Sequence, residues 1–150
     1  MKNHIYYSLI AFFGGLFGIS ILLTFWHLAN GISRFENPFS ATPWGYFLFF
    51  LIYASAIEEG IKFLLIKRNI GQFPYGFLLG LGFGIGETVL RYPFSEFGPA
   101  MERRWEAILL HVITAGIICY FIKKNKPVVG LMIAVALHTG FNLIIQWAVG

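Results

Sequence analysis

The chain has 150 residues, of which 57% are hydrophobic and only 12% charged, against about a quarter charged in soluble domains. That balance excludes an ordinary water-soluble domain and makes a lipid bilayer the expected solvent. The formal net charge of +4 is not a nucleic-acid signature: Lys2, Arg34, Lys67, Arg68, Arg91, Arg103, Arg104, Lys123, Lys124 and Lys126 lie between apolar stretches, where basic residues set topology and meet anionic headgroups.

Taken in chain order, the first apolar run covers about Ile5 to Ala29. It exceeds the roughly 7 to 15 residues of a signal-peptide core, and no small-x-small cleavage site follows. It predicts an uncleaved first helix, with Gly14 and Gly18 as a weak close-packing pair. The second run, Trp44 to Ile66, carries Ser55, Glu58, Glu59 and Lys62; the third, Phe73 to Tyr92, carries Gly76, Gly80, Gly82, Gly84 and Gly86 and then Glu87. Those glycines form two overlapping G-x-x-x-G series that admit neighbouring backbones, which predicts a central third helix. Pro93 to Met101, with Phe94, Phe97, Ser95 and Glu96, suits a loop resting in the interface. The fourth run, Trp105 to Ile122, contains His111 and Cys119, and the fifth, Val128 to Val149, contains His138 and Asn142. Cys119 is the lone cysteine and is expected to be a small buried hydrophobe.

Each run is long enough to cross about 30 Å of hydrocarbon at 1.5 Å per residue. The expectation is an all-α, single-domain, multi-pass bundle of about five transmembrane helices. Lys2, Lys67, Arg68, Lys123, Lys124 and Lys126 would lie on one side, and Arg34, Arg91, Arg103 and Arg104 on the other. The larger set with the N-terminus favours a cytoplasmic N-terminus.

Glu58, Glu59, Lys62, Glu87, His111 and His138 all fall inside these runs. Ionisable side chains inside a spanning helix are costly, by about 2.5 to 3.5 kcal/mol each on insertion scales for Arg, Lys or Asp, so such residues face a bundle interior and mark function. Counted from one membrane face, Glu87 and Asn142 lie at roughly 8 to 11 Å, His111 near 9 Å, His138 near 17 Å and Glu58 near 21 Å. Four helices are thereby expected to converge on one polar site.

Helical spacing pairs Glu58 with Lys62, Glu87 with Arg91, and His138 with Asn142. The first two pairs could be simple ion pairs. Glu59 points about 100° from Glu58, so one lysine does not easily serve both. Two adjacent carboxylates in a low-dielectric site divide the roles of proton holder and proton acceptor. His111 alone would ordinarily be an interhelical hydrogen-bonding residue. His138 and Asn142 present N–H donors from one face, which suits an oxyanion, while a carboxylate takes the proton of the attacking water. Ser55 and Cys119 have no adjacent base in sequence. The Glu and His side chains could instead bind zinc, although no H-E-x-x-H helix is present.

Four motifs carry a resemblance. Glu58-Glu59-Gly-Ile-Lys62, Gly82-Phe-Gly-Ile-Gly-Glu87 with Tyr92, His111 with Thr114 and Gly116, and Ala136-Leu-His138-Thr-Gly-Phe-Asn142 resemble, in order, the motifs of the PrsW family of membrane proteases. That family is related to the CAAX prenyl endopeptidases and to the APH-1 subunit of gamma-secretase. The resemblance implies a glutamate-type intramembrane protease in which Glu58 activates water with His111. It further implies that Glu59 and Lys62 organise the site, that His138 and Asn142 hold the oxyanion, and that Glu87 is an additional glutamate. The implied substrate is a membrane-anchored protein or peptide, such as an anti-sigma factor, cut near the outer face without a cofactor. Lys62 stands one residue before the arginine of the CAAX enzymes and Ala107 replaces their phenylalanine, which turns the expectation away from prenyl-peptide processing. The competing readings are a zinc-dependent membrane protease, a non-catalytic APH-1-like scaffold, and a small proton or ion conduit.

Overall fold

Apolar runs shape the backbone into five α-helices, seen in a computed structural model that describes residues 2–33, 44, 45, 48, 55–68, 73–91 and 97–149. They are α1 (Lys2–Ser33), α2 (Glu58–Arg68), α3 (Phe73–Arg91), α4 (Phe97–Lys123) and α5 (Pro127–Val149). No strand occurs among the described residues. The fold is all-α, as composition and run length predict.

Three boundaries differ from expectation, the first being that α1 runs on past Ala29 to Ser33. The second run appears as helical residues at 44, 45 and 48, a π-helical turn over 55–57 and α2, which continues to Arg68; the rest of that run lies outside the described residues. The interface loop expected over Pro93 to Met101 is shorter, because α4 already begins at Phe97; residues 93–96 lie outside the described residues. Pro99 sits in the first turn of α4, where its missing N–H removes no intrahelical bond.

Arg104–Lys123 and Pro127–Ile145 are long and apolar enough to cross a membrane, and Ile5–Ile21 and Pro74–Leu90 form shorter apolar helices. Two helices therefore meet the length criterion among the described residues, where the sequence predicted about five crossings. Large apolar side chains lie exposed on the described surface while several charged ones are buried beside the apolar core. Phe17, Met132 and Ile144 are exposed by 63%, 67% and 68%, while Glu59 and Lys62 are fully buried.

α3 packs between α1 and α4, α5 packs on α4, and the short α2 touches all four other helices. Glycine makes the central position of α3 possible. A Cβ at Gly80 would run into the carbonyl oxygen of His111 on α4, and one at Gly82 into the carbonyl oxygen of Phe12 on α1. The two faces of α3 thus rest directly on neighbouring backbones, in agreement with the G-x-x-x-G reading. Gly80→Ala is expected to destabilise the detergent-solubilised protein by about 1 to 3 kcal/mol through overpacking. A Cβ at Gly60 meets nothing within 4 Å, so Gly60→Ala should instead gain up to about 1 kcal/mol of helix propensity. Thermal unfolding of the two variants side by side checks the contrast.

The α4–α5 connection is equally specific. Asn125 adopts φ 57°, and the N–H groups of Asn125 and Lys126 donate to the carbonyls of Ile122 (3.0 Å) and Phe121 (2.9 Å). This paired arrangement closes a helix C-terminus through a left-handed residue, a role open to asparagine. Pro127 then starts α5 with the φ a first helical residue requires.

Candidate active site

Four helices deliver the polar residues to one buried cluster. α2 supplies Glu58, Glu59 and Lys62, α3 Glu87, α4 His111 and Thr114, and α5 His138. All seven are buried. The convergence expected from helix depths is therefore found, and its wiring can be followed bond by bond.

Lys62 is the centre. Its Nζ donates to Glu59 Oε1 at 2.6 Å, to His111 Nδ1 at 2.8 Å and to Thr114 Oγ1 at 3.2 Å. An ammonium has three protons and no lone pair, so these partners saturate it. The Phe83 ring, 4.8 Å from Nζ, adds a cation–π contact. The ion pair forms at i,i+3 with Glu59, where the sequence suggested an i,i+4 pair with Glu58. Both spacings share a helix face; the tertiary partners of Glu59 decide between them. Its Oε1 also accepts from Thr114 Oγ1 at 3.1 Å and from His138 Nδ1 at 2.7 Å.

These bonds fix the histidines. Because Lys62 can only donate, His111 Nδ1 is the acceptor and Nε2 carries the proton, which it donates to Glu87 Oε2 at 2.9 Å. Both ring nitrogens of His111 are thereby engaged. His138 gives its Nδ1 proton to Glu59 and turns Nε2 toward Glu58 Oε2, 3.9 Å away. The His111 and His138 rings meet edge to face, with centroids 5.1 Å apart.

Arg104 is the residue that sequence reasoning missed. Its Nη2 lies 3.0 Å from Glu87 Oε2, although the sequence assigns it to a loop beside the bilayer. The available signal was spacing: Arg104 precedes His111 by seven residues, two helical turns along one face. The side chain of Arg91, the partner expected for Glu87, lies outside the described residues. Asn142 is half-buried one turn beyond His138. Cys119 is buried in the apolar core, as expected. The Ser55 hydroxyl is buried with no hydrogen bond to a described residue.

Set against family models, curated proteins and solved structures, the chain matches none.

The zinc reading can be tested on the geometry. Glu58, His111 and His138 offer ligand atoms within 4.8 Å of one another, whereas two zinc ligands at about 2.1 Å from one ion stand at most about 4.2 Å apart. His111 would also have to release either Lys62 or Glu87, and the Lys62 ammonium at 2.8 Å from Nδ1 would repel a dication. A zinc ion at this cluster would therefore require the ligand atoms to close together and His111 to give up a present partner.

Proposed function

We propose that the chain is a multi-pass integral membrane protein with a cytoplasmic N-terminus. In this reading it is an intramembrane peptidase of PrsW type that hydrolyses a peptide bond of a membrane-anchored substrate with a Glu58-activated water. The bilayer reading is supported by the apolar surface, whose exposed Phe17, Met132 and Ile144 would be costly in water. α1, α2 with the run that precedes it, and α3 complete the five crossings in this proposal.

One observation carries the catalytic reading: Glu58 Oε2 faces His138 Nε2 across 3.9 Å inside the buried cluster. A water seated beside Glu58 would give its proton to the carboxylate as its oxygen attacks the scissile carbonyl carbon. Asn142 would donate an N–H to the resulting oxyanion. His138 Nε2 bears a lone pair in the neutral ring; it would accept the proton from Glu58 and pass it to the departing amine as the C–N bond breaks. The site is then regenerated with one water consumed. Two roles differ from those the resemblance implies: in this proposal His111 holds Lys62 instead of activating water, and His138, whose Nδ1 proton goes to Glu59, carries a proton instead of holding the oxyanion.

The test is cleavage of a fluorogenic membrane-anchored peptide by purified protein in liposomes. Activity unchanged by EDTA is expected, since no step uses a metal. Loss of activity on chelation, restored by added zinc, would replace the glutamate mechanism with the zinc one.

A further inference from the structure

We infer that Arg104 is a positioning residue for this site: acting through Glu87, it holds His111 as the Nε2–H tautomer and keeps Nδ1 as the acceptor that seats Lys62. The consequence for turnover rests on the peptidase reading above, whereas the consequence for His111 does not.

Glu87 Oε2 takes both the Arg104 guanidinium at 3.0 Å and the His111 Nε2 proton at 2.9 Å. A guanidinium stays charged at any pH a protein survives, so it keeps Glu87 an ionised acceptor. An ionised acceptor binds an N–H about twice as strongly as a neutral one, and the proton therefore resides on Nε2. Lys62 needs that outcome, because a proton on Nδ1 would point at its own ammonium across 2.8 Å. Displacing Lys62 would release Glu59 Oε1, the atom that also orients His138 Nδ1 at 2.7 Å. Arg104 thus reaches His138 through four intervening side chains without touching the reacting atoms. With 19% of its side chain exposed, against 6% for Glu87 and 1% for His111, it is also the most accessible member of this chain of contacts.

NMR of protein labelled at the histidine ring nitrogens reads the tautomer directly, with the His111 signal assigned from its loss in His111→Gln. The wild type is expected to show a protonated Nε2 and a bare Nδ1. Arg104→Gln should convert this to mixed tautomers or a doubly protonated ring, and Arg104→Lys should preserve it. If Arg104→Gln does not fold, Glu87→Gln probes the same link and should also mix the tautomers. In the cleavage assay Arg104→Gln should lower kcat by about ten- to a hundredfold at unchanged KM, with most of the loss recovered in Arg104→Lys. A proton on Nδ1 in the wild type, or a His111 signal indifferent to both variants, overturns the inference. Active protein with such an indifferent signal leaves the peptidase standing without this role for Arg104. Inert protein with the expected spectra removes the peptidase and keeps the tautomer control.

Discussion

Glu58→Gln is expected to reduce peptide cleavage by about 10² to 10⁴-fold, the usual contribution of a positioned general base, while the protein still folds and unfolds near the wild-type temperature. The replacement keeps shape and removes the ability to take a proton from water. Its neighbour provides the contrast. Glu59 Oε1 receives Lys62, Thr114 and His138, so Glu59→Gln removes the charge that offsets a buried ammonium and should act first on stability. Measuring turnover and thermal unfolding for both variants separates the catalytic glutamate from the structural one. Equal cleavage by wild type and Glu58→Gln would sink the Glu58 mechanism, whereas a wild type as inert as the variant would leave the cluster as the packing device of a scaffold.

The second large effect concerns Lys62. Lys62→Met keeps much of the side-chain length but strands Glu59 as a buried carboxylate, and breaking such a pair by removing one partner costs about 3 to 5 kcal/mol. The expected result is a fall in unfolding temperature of the solubilised protein together with loss of activity. Adding Glu59→Gln to Lys62→Met removes the stranded charge and should restore part of the stability but none of the activity. A Lys62→Met protein as stable as the wild type would mean that the pair of Lys62 with Glu59 is not held in the way the 2.6 Å contact indicates.

Much of this was readable in the sequence because a helix encodes its faces in simple spacings. Five apolar runs predicted five helices, and the glycine series of α3 predicted its place between two neighbours. Ionisable residues on four runs predicted one polar site. What spacing cannot resolve is competition among partners of similar reach. Lys62 lies within one turn of both Glu58 and Glu59, and Thr114 and His138, brought from 52 or more residues away, settle which of them it holds. Glu87 similarly has Arg91 one turn away, yet its contact with Arg104 depends on how α3 packs on α4. The start of α4 escaped notice because Pro99 resembles a breaker, although in a first turn it is harmless. Protonation of the two histidines was beyond sequence altogether, since it follows from contacts of His111 with Lys62 and Glu87 and of His138 with Glu59, which exist only once the four helices have met.

The position of α2 also bears on biogenesis. Glu58, Glu59 and Lys62 together make this segment a poor candidate for independent insertion, a central lysine alone costing about 2.5 to 3.5 kcal/mol on insertion scales. Lys62 and Glu59 offset each other within the segment, but their remaining partners, Thr114, His111 and His138, are all encoded later in the chain. In a bilayer, a nascent chain could therefore hold its second element only provisionally, shielded by the insertion machinery or left near the headgroups. Synthesis of α4 and α5 would then let it settle, so the polar centre would be the last part of the molecule to assemble.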